Sequence, residues 1–380
     1  MIMNTGVEEY LASHQQELLQ LIRDLCAIPA PSHHEEARAE FCLNWFHANG
    51  CPEAFVDEAL NVIAPYGVAE EGPVTLFCAH TDTVFPDTQP LPFYEDADRF
   101  YCPGVCDDTA NLAILMICAR YFFRNKPKTV MGLVFVANSC EEGLGNLKGC
   151  RALAARFGSR MQEFITFDGF QLNFLNHIAV GSHRYRVTVK TEGGHSFEAF
   201  GNRNAIANLA SMICTLYNMK VPEENGSKTT YNVGIISGGT SVNTIAQEAA
   251  MLYEYRSDNK NCLAIMEAMF HQVVEAYRAM GIAVEVERIG ERPCGDVEET
   301  KQLMLLNRLC DSVHRVTGLE PDCHSGSTDC NIPMSLGIPA VCVSLVNGKG
   351  IHTRSEELEL SSLPIGCCLC MDVLLHYICD

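Results

Sequence analysis

Four apolar runs, each leading into a reactive polar side chain, constrain this chain more than any other feature. VTLFCA ends at Ala79 and is followed by His80 and Asp82; VMGLVFVAN ends at Asn138 and is followed by Glu141 and Glu142. EFITFD ends on Asp168 itself, and PAVCVSLV ends at Val346 with His352 soon after. Short apolar runs alternating with longer stretches of helical periodicity predict an α/β fold with a largely parallel sheet flanked by helices. Open sheets of that kind bind ligands beyond the carboxyl ends of their strands. Four tips carrying His, Asp or Glu therefore point to one shared site.

The rest of the chain divides around that sheet. Thr5 with Glu8, and Ser32 with Glu35, have the spacing of capping boxes ahead of two helices. The first is expected to stop at Pro29 and Pro31, the second near Gly50. From about residue 183 the texture changes: RYRVTVKTEGG alternates like a half-exposed strand, and Asn204 to Met219 reads as a helix. TTYNVGIISGG and EAAMLYEYR read as strands, LAIMEAMFHQVVEAYRAM as a helix ended by Gly281, and IAVEVERI as a last strand. This compact α+β unit interrupts the site-bearing sequence, because His352 follows it. The expected domains are residues 1–182 with 294–380, and an inserted 183–293; a chain of 380 residues is long enough for both.

Composition narrows the function. A net charge of −20 argues against nucleic acid as a partner, since such binding draws on Lys and Arg meeting phosphates. No apolar run approaches the roughly 20 residues that span a bilayer, and the opening MIMNTGVEEYLASHQQ lacks the basic start and unbroken apolar stretch of an export signal. A cytosolic protein with no membrane partner is expected. The 20 Cys are scattered through apolar runs such as LFCAH and read as small buried hydrophobes. The CxxC from Cys367 to Cys370 lies in an apolar stretch of the expected C-terminal helix, where packing is favoured over a structural zinc.

Zinc takes His nitrogen and carboxylate oxygen, and a catalytic zinc keeps a position open for water. In AHTDTV, Asp82 is placed to orient the ring of His80. The pair Asp107–Asp108 precedes an apolar-periodic helix, so it reads equally as a helix N-terminus stabilised by acids or as a carboxylate bridging two metal ions. Glu141 and Glu142 are adjacent carboxylates at a strand end, either a solvated loop pair or a pair held together by a cation.

The ordered set HTDTV, GVCDDTAN, SCEEGLG, TFDG, GGHSFEAFGNRNAI, SVNTIAQ with YEYR, GSTD and IHTRSEE resembles the co-catalytic zinc peptidase and amidohydrolase superfamily. That superfamily includes glutamate carboxypeptidase, peptidase T, aminoacylase and acetylornithine deacetylase. The resemblance spans nearly the whole chain, and it implies roles. His80 and Asp168 would hold one zinc, Glu142 and His352 the other, and Asp107 would bridge both. Asp82 would support His80, and Glu141 would be the general base. His195 would stabilise the oxyanion from across a homodimer, and Asn243 and Arg256 would hold the substrate's carboxylate end. The resemblance also implies that the inserted unit is a dimerisation lid.

Co²⁺ or Mn²⁺ suits the same donors as Zn²⁺. Many members of the superfamily carry Lys and then Gly soon after the bridging Asp, whereas this chain has Thr109, Ala110 and Asn111. Peptidase branches carry Asp where deacylase branches often carry Glu, and Asp168 favours a peptidase. The expected activity is hydrolysis of an amide bond in a small peptide. The alternatives are an N-acyl amino acid amidohydrolase and an inactive metal-binding scaffold of the same fold. Neither GxxxxGK[ST] nor GxSxG occurs, so phosphate-loop and serine-elbow chemistry have no support.

Overall fold

The structure, a computed structural model, describes residues 5–379. These fall into two compact units: Ala179–Gly295 forms one, and the chain before and after it forms the other. The units divide a few residues outside the expected 183–293.

The larger unit is α/β, built on an eight-stranded sheet. Its order is Phe55–Val56, Val62–Tyr66, Gly132–Asn138, Val74–His80, Met161–Phe167, Ala340–Val343, Phe174–Ala179 and Asp322–Gly326. The four central strands, Gly132–Asn138 to Ala340–Val343, run parallel, while Val62–Tyr66 and Phe174–Ala179 flank them antiparallel. Val74–His80 and Gly132–Asn138 are buried at every residue, which is why both read as continuous apolar runs without alternation. Phe77 lies between Phe135 and Phe167, with ring centroids 5.8 and 6.4 Å away, and Tyr377 meets it edge-on. The apolar helices Asn111–Asn125 and Leu363–Leu375 pack on each other beside this sheet.

Several local expectations are revised. The opening helix runs as Thr5–Ser13 and Gln15–Cys26, stopping before Pro29. The next helix, Glu36–Ala48, has Glu35 at its N-cap position with no side-chain cap, so the Ser32–Glu35 pair is not a capping box. Both side chains are engaged instead by loops at the strand tips. Ala340–Val343 ends three residues before Val346, which leaves His352 in a turn between the short strands Gly348–Lys349 and Glu357–Glu359. All 20 cysteines are unbridged; Cys214, Cys323 and Cys379 are exposed, and Cys310 and Cys368 half-buried, so burial is not uniform. Cys367 and Cys370 are buried, and the Cys118 thiol donates to the Cys367 carbonyl at 3.7 Å.

The smaller unit is a four-stranded antiparallel sheet in the order Thr229–Gly238, Glu248–Ser257, Gly181–Lys190, Ala283–Arg292. Alternating burial along Gly181–Lys190 and Glu248–Ser257 gives it one apolar face, which the helices Ala205–Tyr217 and Lys260–Ala279 cover. Asn204 and Asn259 cap those helices through side-chain oxygens, each accepting two backbone N–H groups. Gly281, at φ +76°, turns the chain out of the second. Thr229–Gly238 is an edge strand with Ile235 and Ile236 57% and 60% exposed. Among the described residues no helix is long and apolar enough to cross a membrane.

Because Phe77 fills the centre of the parallel sheet, Phe77→Ala should cost about 3 to 5 kcal/mol. Denaturant unfolding of the variant beside the parent chain checks this, and a loss below about 1 kcal/mol would show that Phe77 does not anchor the core.

Candidate metal centre

Strand register brings the reactive residues together. His80, the last residue of Val74–His80, lies opposite Asn138, and Cys78 lies opposite Thr166 on the other side. The chain turns just past Asn138 to present Glu141 and Glu142, and just past Phe167 to present Asp168. Asp107 comes from the non-helical turn that precedes Asn111–Asn125, and its peptide bond to Asp108 is cis. His352 reaches the same place from its turn, at φ +59°.

The Asp107 carboxylate lies between two imidazoles. Its Oδ1 is 2.9 Å from His80 Nε2 and its Oδ2 is 3.0 Å from His352 Nε2. His352 Nε2 is also 3.1 Å from Glu142 Oε1. The potential metal donors fall into the groups His80–Asp107–Asp168 and Asp107–Glu142–His352, which share Asp107, and a third, His80–Glu141–Glu142. Within each group the donor atoms lie within 4.8 Å of one another. The five proposed ligands and Glu141 thus converge on one site.

Behind this ring stands a layer of buried acids and amides. His80 Nδ1 is 3.0 Å from the Asp82 carbonyl and 3.5 Å from its carboxylate, so the backbone of Asp82 fixes the ring. The Asp82 carboxylate accepts the N–H groups of Glu141 and Glu142 at 2.9 and 3.0 Å and the Ser32 hydroxyl at 2.6 Å. Reading the sequence missed three further supports. Glu356, buried, accepts the N–H groups of Gly104, Cys106 and Asp107 at 2.7, 2.8 and 3.1 Å. Asp108 accepts the His80 N–H at 2.8 Å. Asn111 donates to the carbonyls of Cys106 and Gly169 and accepts the Leu345 N–H, tying three site loops together. The doubled acids DD and EE were the only signal for Asp108 and Glu356, and Asn111 had shown only as a departure from the superfamily's pattern.

Electrostatics set the demand for cations. Burial, then Asp107, Glu141 and Glu142, push Asp168 well above the usual carboxylate range. Burial with Asp107 and Glu141 lifts Glu142 to about 7 against the pull of His352. Burial also acts to raise Asp107, but hydrogen bonds from His352 and His80 outweigh it and hold Asp107 low. Asp107 and Glu142 in turn lift His352 to about 10. Crowded carboxylates that resist ionisation beside imidazoles that resist losing their protons suit divalent cations, which replace the protons and neutralise the acids. The donor set of imidazole and carboxylate suits zinc.

His195, Asn243 and Arg256 belong to the smaller unit. Gly194–His195 pairs with Thr244–Ile245, and the Ser196 N–H donates to the Asn243 carbonyl at 3.0 Å, so His195 and Asn243 adjoin. The N–H groups of Phe197 and Glu198 lie 3.3 and 3.4 Å from His195 Nδ1, favouring the tautomer with its proton on Nε2. Arg256 lies near the far end of Glu248–Ser257, where Glu254 accepts from its Nε and Nη2 at 3.0 and 3.1 Å.

Convergent His and carboxylate donors at the strand tips of an α/β sheet define a metallohydrolase. The chain belongs to peptidase family M20/M25/M40, whose sequence profile matches residues 76–376. Binding of a dinuclear metal centre is typical of that family. The succinyl-diaminopimelate desuccinylase of Bordetella avium is 24% identical over 371 residues, which cover 91% of this chain and 94% of that protein. A tripeptidase from Staphylococcus aureus has the same fold, with a TM-score of 0.75 at 21% identity over 94% of this chain and 97% of that one. A dinuclear metal-binding M20 peptidase from Bacillus subtilis gives 0.65 at 17% identity over 97% and 100%.

Metal must displace protons from His352 and Glu142, whose raised values favour the protonated forms. Zinc affinity should therefore rise with pH and its binding release protons. Calorimetry in buffers of differing ionisation enthalpy checks this, and an affinity flat or falling between about pH 6 and 9 contradicts it.

Proposed function

We propose that this chain is a dizinc exopeptidase that hydrolyses the amide bond of a small peptide. The observation that carries the reading is Asp107, one carboxylate oxygen on each of two imidazoles from different donor groups. His80, Asp107 and Asp168 would hold one Zn²⁺, and Asp107, Glu142 and His352 the second, with Co²⁺ or Mn²⁺ as substitutes. Bound there, the ions supply Lewis acidity toward a scissile carbonyl and toward an attacking water. Glu141 takes the water's proton and delivers it to the departing amine. Nε2–H of His195 donates to the developing oxyanion, a contact often worth about 3 to 4 kcal/mol. Arg256 is assigned to the substrate's carboxylate end, and Asn243, which lies beside His195 at the opposite end of Glu248–Ser257, is assigned to the same carboxylate only from a second copy of the chain. Because Arg256 is already engaged by Glu254, its guanidinium comes to the substrate oriented and partly neutralised.

His195 is assigned to the site of a second copy, in a homodimer formed through the smaller unit. The open edge Thr229–Gly238, with Ile235 and Ile236 exposed, supports that assignment, since unpaired strand edges seek partners. A second reading, an N-acyl amino acid amidohydrolase, is favoured by the near full-length similarity to a desuccinylase.

Glu141→Gln should retain both metals by elemental analysis while losing about 10²- to 10⁴-fold in kcat on the best substrate from a panel of di- and tripeptides and N-acyl amino acids. Turnover unchanged in Glu141→Gln removes the base. Release of acyl groups alone moves the substrate to the second reading. For the dimer, Ile236→Lys should shift sedimentation from two copies to one, and a parent chain that sediments as a monomer refutes it.

A further inference from the structure

We propose that Glu35 is a positioning residue for the general base, acting through the backbone of Cys140; this rests on the reading of Glu141 as that base. Four consecutive backbone N–H groups run from Ser139 to Glu142, and each donates to a side-chain oxygen from a distant part of the chain. Ser139 N–H goes to Asn61 Oδ1 at 3.1 Å and Cys140 N–H to Glu35 Oε1 at 3.0 Å. Glu141 and Glu142 N–H go to the two oxygens of Asp82 at 2.9 and 3.0 Å. The loop is thus shaped by three outside residues.

It also needs them. Cys140, Gly143, Asn146 and Leu147 all have positive φ, between +49° and +58°, and three of the four are not glycine. Left-handed backbone at such residues persists only when its surroundings hold it. At the base of the loop Gly149 comes so close to Ser139 that a Cβ would lie 2.3 Å from its carbonyl oxygen.

Glu35 holds the loop at Cys140, the residue next to Glu141. Its side chain is fully buried, and Oε1 accepts from both the N–H and the thiol of Cys140, the thiol at 3.2 Å. Its neighbours grip the same loop: Ser32 reaches the Glu142 carbonyl at 3.4 Å as well as Asp82, and His33 lies 3.4 Å from the Cys140 thiol and 3.3 Å from the Leu144 carbonyl. Thr83 N–H donates to the Ala30 carbonyl, which pins this segment beside the strand that ends in His80. The segment 30–35 is therefore a brace between the metal-bearing strand and the loop carrying Glu141. Glu35 touches neither the metal donors nor the reacting atoms, so its effect on catalysis runs through the placement of its neighbour.

The test compares Glu35→Ala and Glu35→Gln with the parent chain and with Glu141→Gln, all loaded with zinc. In Glu35→Ala, amide hydrogen exchange should quicken over Cys140–Leu147 and stay unchanged in Val74–His80, a readout that needs no substrate. A base displaced by about 1 Å costs on the order of 10²-fold, so kcat of Glu35→Ala should fall about 10- to 100-fold, with two metals retained. KM should stay within about twofold, because the substrate contacts are untouched. Glu35→Gln keeps an acceptor for the Cys140 N–H and should recover most of the rate. Normal kcat and normal exchange in Glu35→Ala, with Glu141→Gln inactive, overturn the role of Glu35 alone. Loss of metal or general loosening in both Glu35 variants also overturns it, by making Glu35 a part of the fold at large. An active Glu141→Gln overturns the underlying assignment of the base, whatever the Glu35 variants do.

Discussion

Repulsion among Asp107, Glu141, Glu142 and Asp168 is the constraint on which the rest of the larger unit depends. Burial strengthens it, and the acids behind the ring strengthen it again: Asp82, Asp108 and Glu356 are all buried within hydrogen-bonding reach of the site loops. Such a concentration of carboxylates is tolerable for two reasons. Backbone N–H groups are turned toward Asp82 and Glu356, while burial lifts Glu356 to about 7 and Asp108 well above the usual carboxylate range, so Glu356 and Asp108 favour their neutral forms. The outer ring faces two imidazoles and is arranged to share cations. The resulting site is preorganised by main chain more than by side chain, and that suits a catalyst whose donors must not shift when a charged ligand leaves.

Much of this was legible in the residues. Continuous apolar strands ending in His, Asp or Glu locate the sheet and the tips of its strands, and a parallel sheet leaves few other places for a site. The inserted unit announces itself through alternation in RYRVTVK, where the main sheet has none. What stayed hidden were long-range hydrogen bonds. Ser32 and Glu35 have the spacing of a cap, and a local rule assigns them locally; the structure uses them across separations of 50 and 105 residues. Asn111 looked like a departure from a pattern and proves to be the knot joining three loops. Glu356 lies in a polar turn, where a surface position is the natural expectation, yet it is buried under the Asp107 loop. Tertiary partners of buried polar groups cannot be read from periodicity, because periodicity reports which face is apolar and not which amide needs an acceptor.

The smaller unit follows different rules. Its sheet is antiparallel and apolar on one face, with capped helices on that face and an open edge at Thr229–Gly238. It presents His195 in the donor tautomer beside Asn243. On the proposed roles, metal chemistry belongs to the larger unit and substrate recognition draws on the smaller.

The central claim is that Asp107 lies between two metal ions. The direct measurement is an anomalous-scattering map at the zinc edge from crystals of the zinc-loaded protein. Two peaks per chain are predicted, one on the His80 and Asp168 side of Asp107 and one on the Glu142 and His352 side. A single peak, or peaks away from Asp107, would contradict the account.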